Sequence, residues 1–281
     1  MKLIIKILQL LSPKAVSRIA YKFMNTPKKR ELRKSEMQIL NESSKEKIRY
    51  KDFEIQQYKW AKATGKVALL VHGWEGRAGN FAGLINVLID IGYHVVAFDA
   101  PSHGESSFGN TNMFQFADFL ELQFLKFNPN LIVSHSFGSV NTATVLRNNT
   151  SLNIELWIMV TTPHRFISRV NDISRQFGIN TKTQKKLINR IQNDTNENID
   201  KLDMAIYCNE LTNVDKAIIV HSKTDKVLPI EGAREVSKFF EKSQLIELDG
   251  LGHYSILWSK KLYEIVAENT NANNAYKKYS N

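Results

Sequence analysis

The 281-residue sequence is poor in several things, and each shortage excludes something. It has one cysteine, Cys208, so no disulfide can form within the chain, which suits a reducing compartment. It has no His-Glu-x-x-His and no paired-cysteine pattern, so no metal is expected. It has no Gly-x-x-x-x-Gly-Lys loop of the kind that cradles phosphates, and no internal repeat. No cofactor is expected. Long apolar runs are missing too. Lys6 and Gln9 interrupt the first hydrophobic stretch and no small-residue cleavage site follows, which argues against a secretory signal and a transmembrane span. The expected place is cytoplasmic, with membrane-peripheral contact left open.

Acidic residues are scarce in one region. Residues 1–51 carry fourteen lysines and arginines against four glutamates, whereas the remainder has 24 basic and 24 acidic side chains. The formal net charge of +10 therefore belongs to the N-terminal segment. Within it Leu3, Ile4, Ile7, Leu8 and Leu11 share a helical face, with Lys2 and Lys6 on the other. Ser12-Pro13 reads as the cap and first position of a second helix, with Val16, Ile19, Ala20 and Phe23 on its apolar side. Two uses stay open: packing on the body, or reversible attachment of residues 1–24 to an anionic membrane surface. Nucleic acid is not an expected partner, because few aromatics interleave the basic residues and the body is neutral. The sequence carries no signal for oligomeric state.

What is present is a rhythm. Tyr50 to Trp60 alternates like an exposed antiparallel strand. From Lys66 on, short apolar runs follow one another: 67–71, 94–98, 131–133, 156–160, 217–220 and 245–248. Helical patterns separate them at 81–91, 113–127 and 231–240. Such alternation predicts an α/β fold, a mostly parallel central sheet with helices on both faces. Residues 164–213 have helical periodicity and no strand, and read as a helical cap insertion. The expected division is a basic helical N-terminal extension at 1–47, a core at 48–163 and 214–269, the cap at 164–213, and a flexible tail at 270–281.

The chemistry-bearing stretch is Asn130 to Val140. An apolar strand stops at Ser134-His135-Ser136-Phe137-Gly138 and a helical pattern follows at once. Strand, sharp turn and helix with a serine at the apex is the setting of a nucleophile elbow. The usual Gly-x-Ser-x-Gly has Ser134 at its first glycine here, where the demand is for small bulk. A serine hydroxyl needs a base, and the base needs an orienting acid. Asp225 lies beyond one later strand and His253, in Gly250-Leu251-Gly252-His253, beyond the last. Singly, Asp225 reads as a turn or capping residue and His253 as a surface-loop histidine. Jointly, in the order Ser136, Asp225, His253, they read as a triad.

The backbone N–H groups of Phe137 and Trp74 are the candidate oxyanion donors, and Gly73 lets the chain approach closely. His72 reads as structural, holding its loop by hydrogen bonds. Arg77 reads as bracing that loop through an ion pair, or as meeting an acidic substrate.

At this point the chain resembles a bacterial member of the α/β-hydrolase superfamily, from about Lys66 to the last helix. The carrying residues are His72-Gly73-Trp74, Asp99 to Ser106, Ser134 to Gly138, the Asp225 loop and Gly252-His253. The resemblance implies that Ser136 attacks an acyl carbonyl, His253 shuttles the proton and Asp225 orients His253. It also implies that His103 and His135 shape the site rather than react. His72, Gly73, His135 and Gly138 complete the site-shaping set. The expected function is a serine hydrolase acting on a small-molecule carboxylic ester or thioester. A serine peptidase or C–C hydrolase, and a non-catalytic binding protein on the same fold, stay open as alternatives.

Overall fold

Strands built only from aliphatic and small residues cannot face water on either side, so they are stable only beneath helices on both faces. The computed structural model describes residues 2–60, 65–195 and 198–270. Helices α1 (Lys2–Leu11) and α2 (Pro13–Met24) meet at Ser12, whose hydroxyl accepts the Ala15 N–H while Pro13 begins the second helix. Helix α3 (Lys34–Asn41) follows.

Residues 50–60 differ from the single exposed strand expected. Lys51, at φ 50°, turns the chain, and β1 (Ser44–Tyr50) and β2 (Phe53–Trp60) form an antiparallel hairpin. Strand β2 is interior, paired on its other edge with β4 (His94–Phe98), so Ile55 and Tyr58 are fully buried. Helix α3 lies over it, its Ile39 carbonyl accepting the Trp60 indole N–H at 2.8 Å.

The parallel part comprises β3 (Val67–Val71), β4, β5 (Leu131–His135), β6 (Ile154–Val160), β7 (Val214–Ser222) and β8 (Ser243–Leu248). The eight strands run in the order β1-β2-β4-β3-β5-β6-β7-β8. Helix α4 (Ala82–Asp90) joins β3 to β4, α5 (Met113–Phe127) joins β4 to β5, and α6 (Phe137–Asn148) joins β5 to β6. Between β6 and β7 the chain forms α7 (Phe166–Phe177), α8 (Thr181–Thr195) and α9 (Met204–Asn209). Helix α10 (Ile230–Phe239) precedes β8, and α11 (Lys260–Asn269) closes the described chain.

The pleat divides the core in two. Leu69, Val71, Val96, Phe98, Ile132 and Trp157 face one side, with Phe116 and Phe119 of α5 and Ala143 of α6. Leu70, Val95, Ala97, Val133 and Ile158 face the other, with Leu84 and Ile85 of α4 and Leu262 of α11. Each fully buried aliphatic side chain stabilises by about 1.5–3 kcal/mol. Strand order reverses at β3, which has β4 on one side and β5 on the other. The loops after β3 and β5 therefore open on a crevice at the carboxyl ends, where such sheets hold ligands.

Among the described residues no helix is long and apolar enough to cross a membrane. Residues 271–281, most of the segment expected as a tail, lie outside the described residues.

Candidate active site

The site grows from three strand ends. At the end of β5 the chain turns at Ser136, whose φ of 51° and ψ of −122° are a strained conformation for a residue with a side chain. The Ser136 N–H extends the sheet ladder by donating to Val160 O at 2.8 Å, and α6 starts at Phe137. Helix α6 leaves so close to β3 that a Cβ at Gly138 would sit 2.5 Å from Val71 O and 2.6 Å from His72 O. Only glycine fits there. Gly73 is tight in the same way: a Cβ would lie 3.0 Å from both His135 O and the Ser136 Cβ. Beside the close approach to substrate expected of Gly73, the elbow itself holds this position to glycine.

Ser134 does more than stay small. It is fully buried, its hydroxyl accepts the Trp157 indole N–H at 2.8 Å, and it shares a 2.9 Å hydrogen bond with Ser139 Oγ. Register explains this. Ser134 pairs with Met159 across β5 and β6, so Trp157 is its diagonal neighbour on the same face.

Beyond β7, the Asp225 Oδ1 accepts the Val227 and Leu228 N–H groups at 2.7 and 3.1 Å. Its Oδ2 accepts the His253 Nδ1–H at 2.8 Å. Burial alone raises the Asp225 carboxyl, but the His253 hydrogen bond and charge, with the two backbone donors, outweigh it and hold the group below its ordinary value. Beyond β8, His253 turns its Nε2 to Ser136 Oγ at 3.0 Å, and its side chain is 5% exposed. The structure thus brings Ser136, Asp225 and His253 together in one hydrogen-bonded chain.

Four other histidines brace it. His135 donates from Nε2 to the His253 carbonyl at 2.8 Å; burial and then the His253 charge lower it to about 3. His72 accepts the Ala100 N–H at Nε2, 2.9 Å, so its proton sits on Nδ1 and is donated to Gly73 O at 2.7 Å. Burial and His103 keep His72 well below its ordinary value. His103 bonds Pro101 O at 2.9 Å and burial lowers it to about 4. His221, given no role from sequence, bonds Leu228 O at 2.9 Å, lies 3.8 Å from Asp225 Oδ2, and is lowered by burial.

Asp99 accepts the Ala78 and Glu105 N–H groups at 2.8 and 2.7 Å and the Tyr58 hydroxyl at 3.0 Å, while burial pushes it up to about 6. Among the described residues Arg77 lacks the expected ion pair: its guanidinium instead donates to the Arg30 carbonyl and so ties the N-terminal segment to the β3 loop.

Among the described residues the Trp74 and Phe137 N–H groups have no hydrogen-bond partner, and their rings meet edge-on at 5.7 Å. Ser136 and His253 open on a cavity of about 610 Å³. Its apolar wall includes Met24, Phe114, Val140, Phe166, Leu202 and Val227. Arg30, Glu75, Arg165, Arg169 and Asp203 bring charge to it, with Arg30 paired to Glu75 at 3.1 Å and Arg165 to Asp203 at 2.8 Å. Among the described residues no three His, Cys, Asp or Glu side chains are placed to hold a metal ion.

Two results are expected from this geometry. Ser134→Gly restores the usual elbow pattern yet leaves a buried indole N–H without its acceptor. It should lower unfolding free energy by about 1–3 kcal/mol in urea titration; unchanged or higher stability would contradict the Trp157 anchor. The second is acid sensitivity. Between pH 6.5 and 4 the unfolded chain protonates histidines that stay neutral in the fold, so stability falls as pH drops through that window. Asp99 acts oppositely between its raised value near 6 and its ordinary value of 3.8, being protonated in the fold and ionised when unfolded. His103 and His135 outweigh it, with a net loss of roughly 3 kcal/mol expected between pH 7 and 4.5, and His72 and His221 add to that loss in the same direction. A flat urea midpoint over that range would contradict neutral buried histidines.

Comparison with known proteins agrees with this architecture. Residues 68–181 match the alpha/beta hydrolase family. No curated protein matches the chain. Among solved structures, the Pyrococcus furiosus esterase Pf2001 superposes with a TM-score of 0.63 at 16% identity, covering 87% of this chain and 95% of its own. The thioesterase domain from the curacin biosynthetic pathway gives 0.59 at 14% identity, covering 80% and 98%. A bacterial virulence factor described as a membrane phospholipase A gives 0.61 at 14% identity, covering 97% and 96%. Identities this low speak for fold alone. The eight-stranded sheet, its helices and the match across 68–181 show that the chain has the α/β-hydrolase fold.

Proposed function

We propose that the chain is a serine hydrolase that cleaves a carboxylic ester or thioester through an acyl-enzyme. The observation that carries this reading is the unbroken chain from Ser136 Oγ through His253 to Asp225, with links of 3.0 and 2.8 Å, at the wall of the cavity. His253 Nε2 accepts the hydroxyl proton as Oγ attacks the acyl carbon. The carbonyl electron pair moves to oxygen, and the Trp74 and Phe137 N–H groups receive that charge. His253 then protonates the departing alkoxide or thiolate. In the second half it deprotonates a water that releases the acid from Ser136.

Asp225 stays ionised and steadies the imidazolium. Its Oδ1 is committed to two backbone amides, which leaves Oδ2 aimed at the ring. The apolar wall suits an acyl chain, and the ester- and thioester-cleaving neighbours support that substrate class.

A series of p-nitrophenyl esters and acyl thioesters of graded chain length tests the reading. Wild type should turn over at least one, and Ser136→Ala should lose roughly 10⁴-fold or more while keeping its unfolding midpoint. Turnover equal to wild type in a folded Ser136→Ala would remove the serine from the reaction. Asp225→Asn should fold and lose roughly 10⁴-fold in kcat, because the amide no longer holds the ring in the required tautomer. A near-normal rate would remove Asp225 from the relay.

A further inference from the structure

Helix α1 is docked the wrong way round for a surface helix in water. Its one buried side chain is polar: Gln9, 5% exposed, donates to Gly178 O at 3.1 Å and accepts the Asn180 N–H at 2.8 Å. These bonds fix the helix to the corner between α7 and α8. At 100° per residue, the opposite side of the helix carries Leu3, Ile4, Ile7 and Leu11. They are 70%, 61%, 53% and 79% exposed. Lys2 and Lys6 lie on the docked side, over Gly178. An ordinary amphipathic helix buries its apolar stripe against the body; here the body holds the polar side and leaves the stripe in solvent.

Helix α2 adds the charge. Lys14, Arg18 and Lys22 stand at i, i+4 and i+8 on its exposed side, next to the exposed Ala15, Ile19 and Phe23. Like charges at this spacing destabilise a helix, and among the described residues none of the three has an acidic partner. No acidic residue precedes Glu31. An uncovered apolar stripe on α1 and an unneutralised basic row on the adjoining α2 fit a surface that is apolar at depth and anionic at its face.

We propose that α1 and α2 lie on an anionic lipid bilayer, with the α1 stripe inserted among the acyl chains and the α2 row against the phosphates. A second copy of the chain fits less well, because pairing these faces would bring two basic rows together. The buried side of α2 meets the cavity, since Tyr21, Met24 and Asn25 line it. Docking therefore holds the cavity next to the lipid. The binding step does not depend on the hydrolase reading.

Co-sedimentation tests it with full-length protein, in wild-type and Ser136→Ala forms. The vesicles are equal parts phosphatidylglycerol and phosphatidylcholine, or phosphatidylcholine alone. Both forms should bind the anionic vesicles at low salt, bind the neutral ones far less, and release at about 0.5 M salt. Ile7→Glu/Leu11→Glu and Lys14→Gln/Arg18→Gln/Lys22→Gln should each keep the wild-type unfolding midpoint and bind at least about tenfold less. Absence of wild-type binding, or equal binding by the folded variants, would overturn the proposal. So would loss of binding in Ser136→Ala alone, which would place the lipid contact at the cavity. A wild-type dimer that Ile7→Glu/Leu11→Glu converts to monomer, without vesicle binding, would assign the stripe to self-association instead. Because Ser136→Ala tests turnover separately, failure here leaves the hydrolase reading standing.

Discussion

A single 3.0 Å hydrogen bond joins Ser136 to His253, 117 positions apart in sequence. It can form only if β5 and β8 end at the same edge of the sheet and if each loop beyond them is rigid. The rest of the core serves that condition. Parallel strands buried on both faces bring every carboxyl end to one side. The reversal at β3 opens the crevice in which the serine stands. At this edge the chain accepts strain at Ser136 and loses side-chain volume at Gly73 and Gly138, because helix, strand and loop backbones meet there at contact distance. Strain of this kind persists only where its surroundings over-determine it. The Val160 carbonyl, the Trp157–Ser134 anchor and the packed α6 N-terminus supply those surroundings.

The electrostatics follow the same plan. Burial keeps His72, His103 and His135 neutral, so each offers one donor and one acceptor and adds no charge beside the site. Asp225 differs because backbone donors and His253 hold it ionised despite its burial. An acidic residue kept charged beside neutral histidines is the polarity that the proposed serine–histidine relay needs: in that reaction charge would appear on His253, and only Asp225 would meet it. His221, behind Asp225, fixes the loop through Leu228 without competing for the proton.

Much of this was readable in the chain because it is local. A strand that ends in Ser-His-Ser-Phe-Gly, one followed by Asp225 and one followed by Gly-His each declare a loop at a carboxyl end, and sheet topology gathers those loops. What was not readable depends on register and on depth. Trp157 reaches Ser134 diagonally across two strands, and no spacing in the sequence encodes that. The hairpin at Lys51-Asp52 lacks the glycine or asparagine that marks a tight turn, so Tyr50 to Trp60 reads as a single strand and the start of β1 falls in the helical extension expected over 1–47. Helix α3 spans eight residues, too few for a periodic pattern to stand out. The apolar stripe of α1 was visible, but which way it faced was settled by Gln9, a residue whose burial nothing in the pattern announces.

The account stands on one alcohol being reactive in place, with two backbone donors waiting for the charge it creates. The most direct measurement is a crystal structure of wild-type protein trapped with a serine-reactive alkyl phosphonate. The account predicts a covalent bond from phosphorus to Ser136 Oγ, the phosphoryl oxygen within hydrogen-bonding distance of both the Trp74 and Phe137 N–H groups, and the alkyl chain along Phe114, Val140 and Leu202. Phosphorus attached elsewhere, or a phosphoryl oxygen turned to solvent away from both amides, would contradict it.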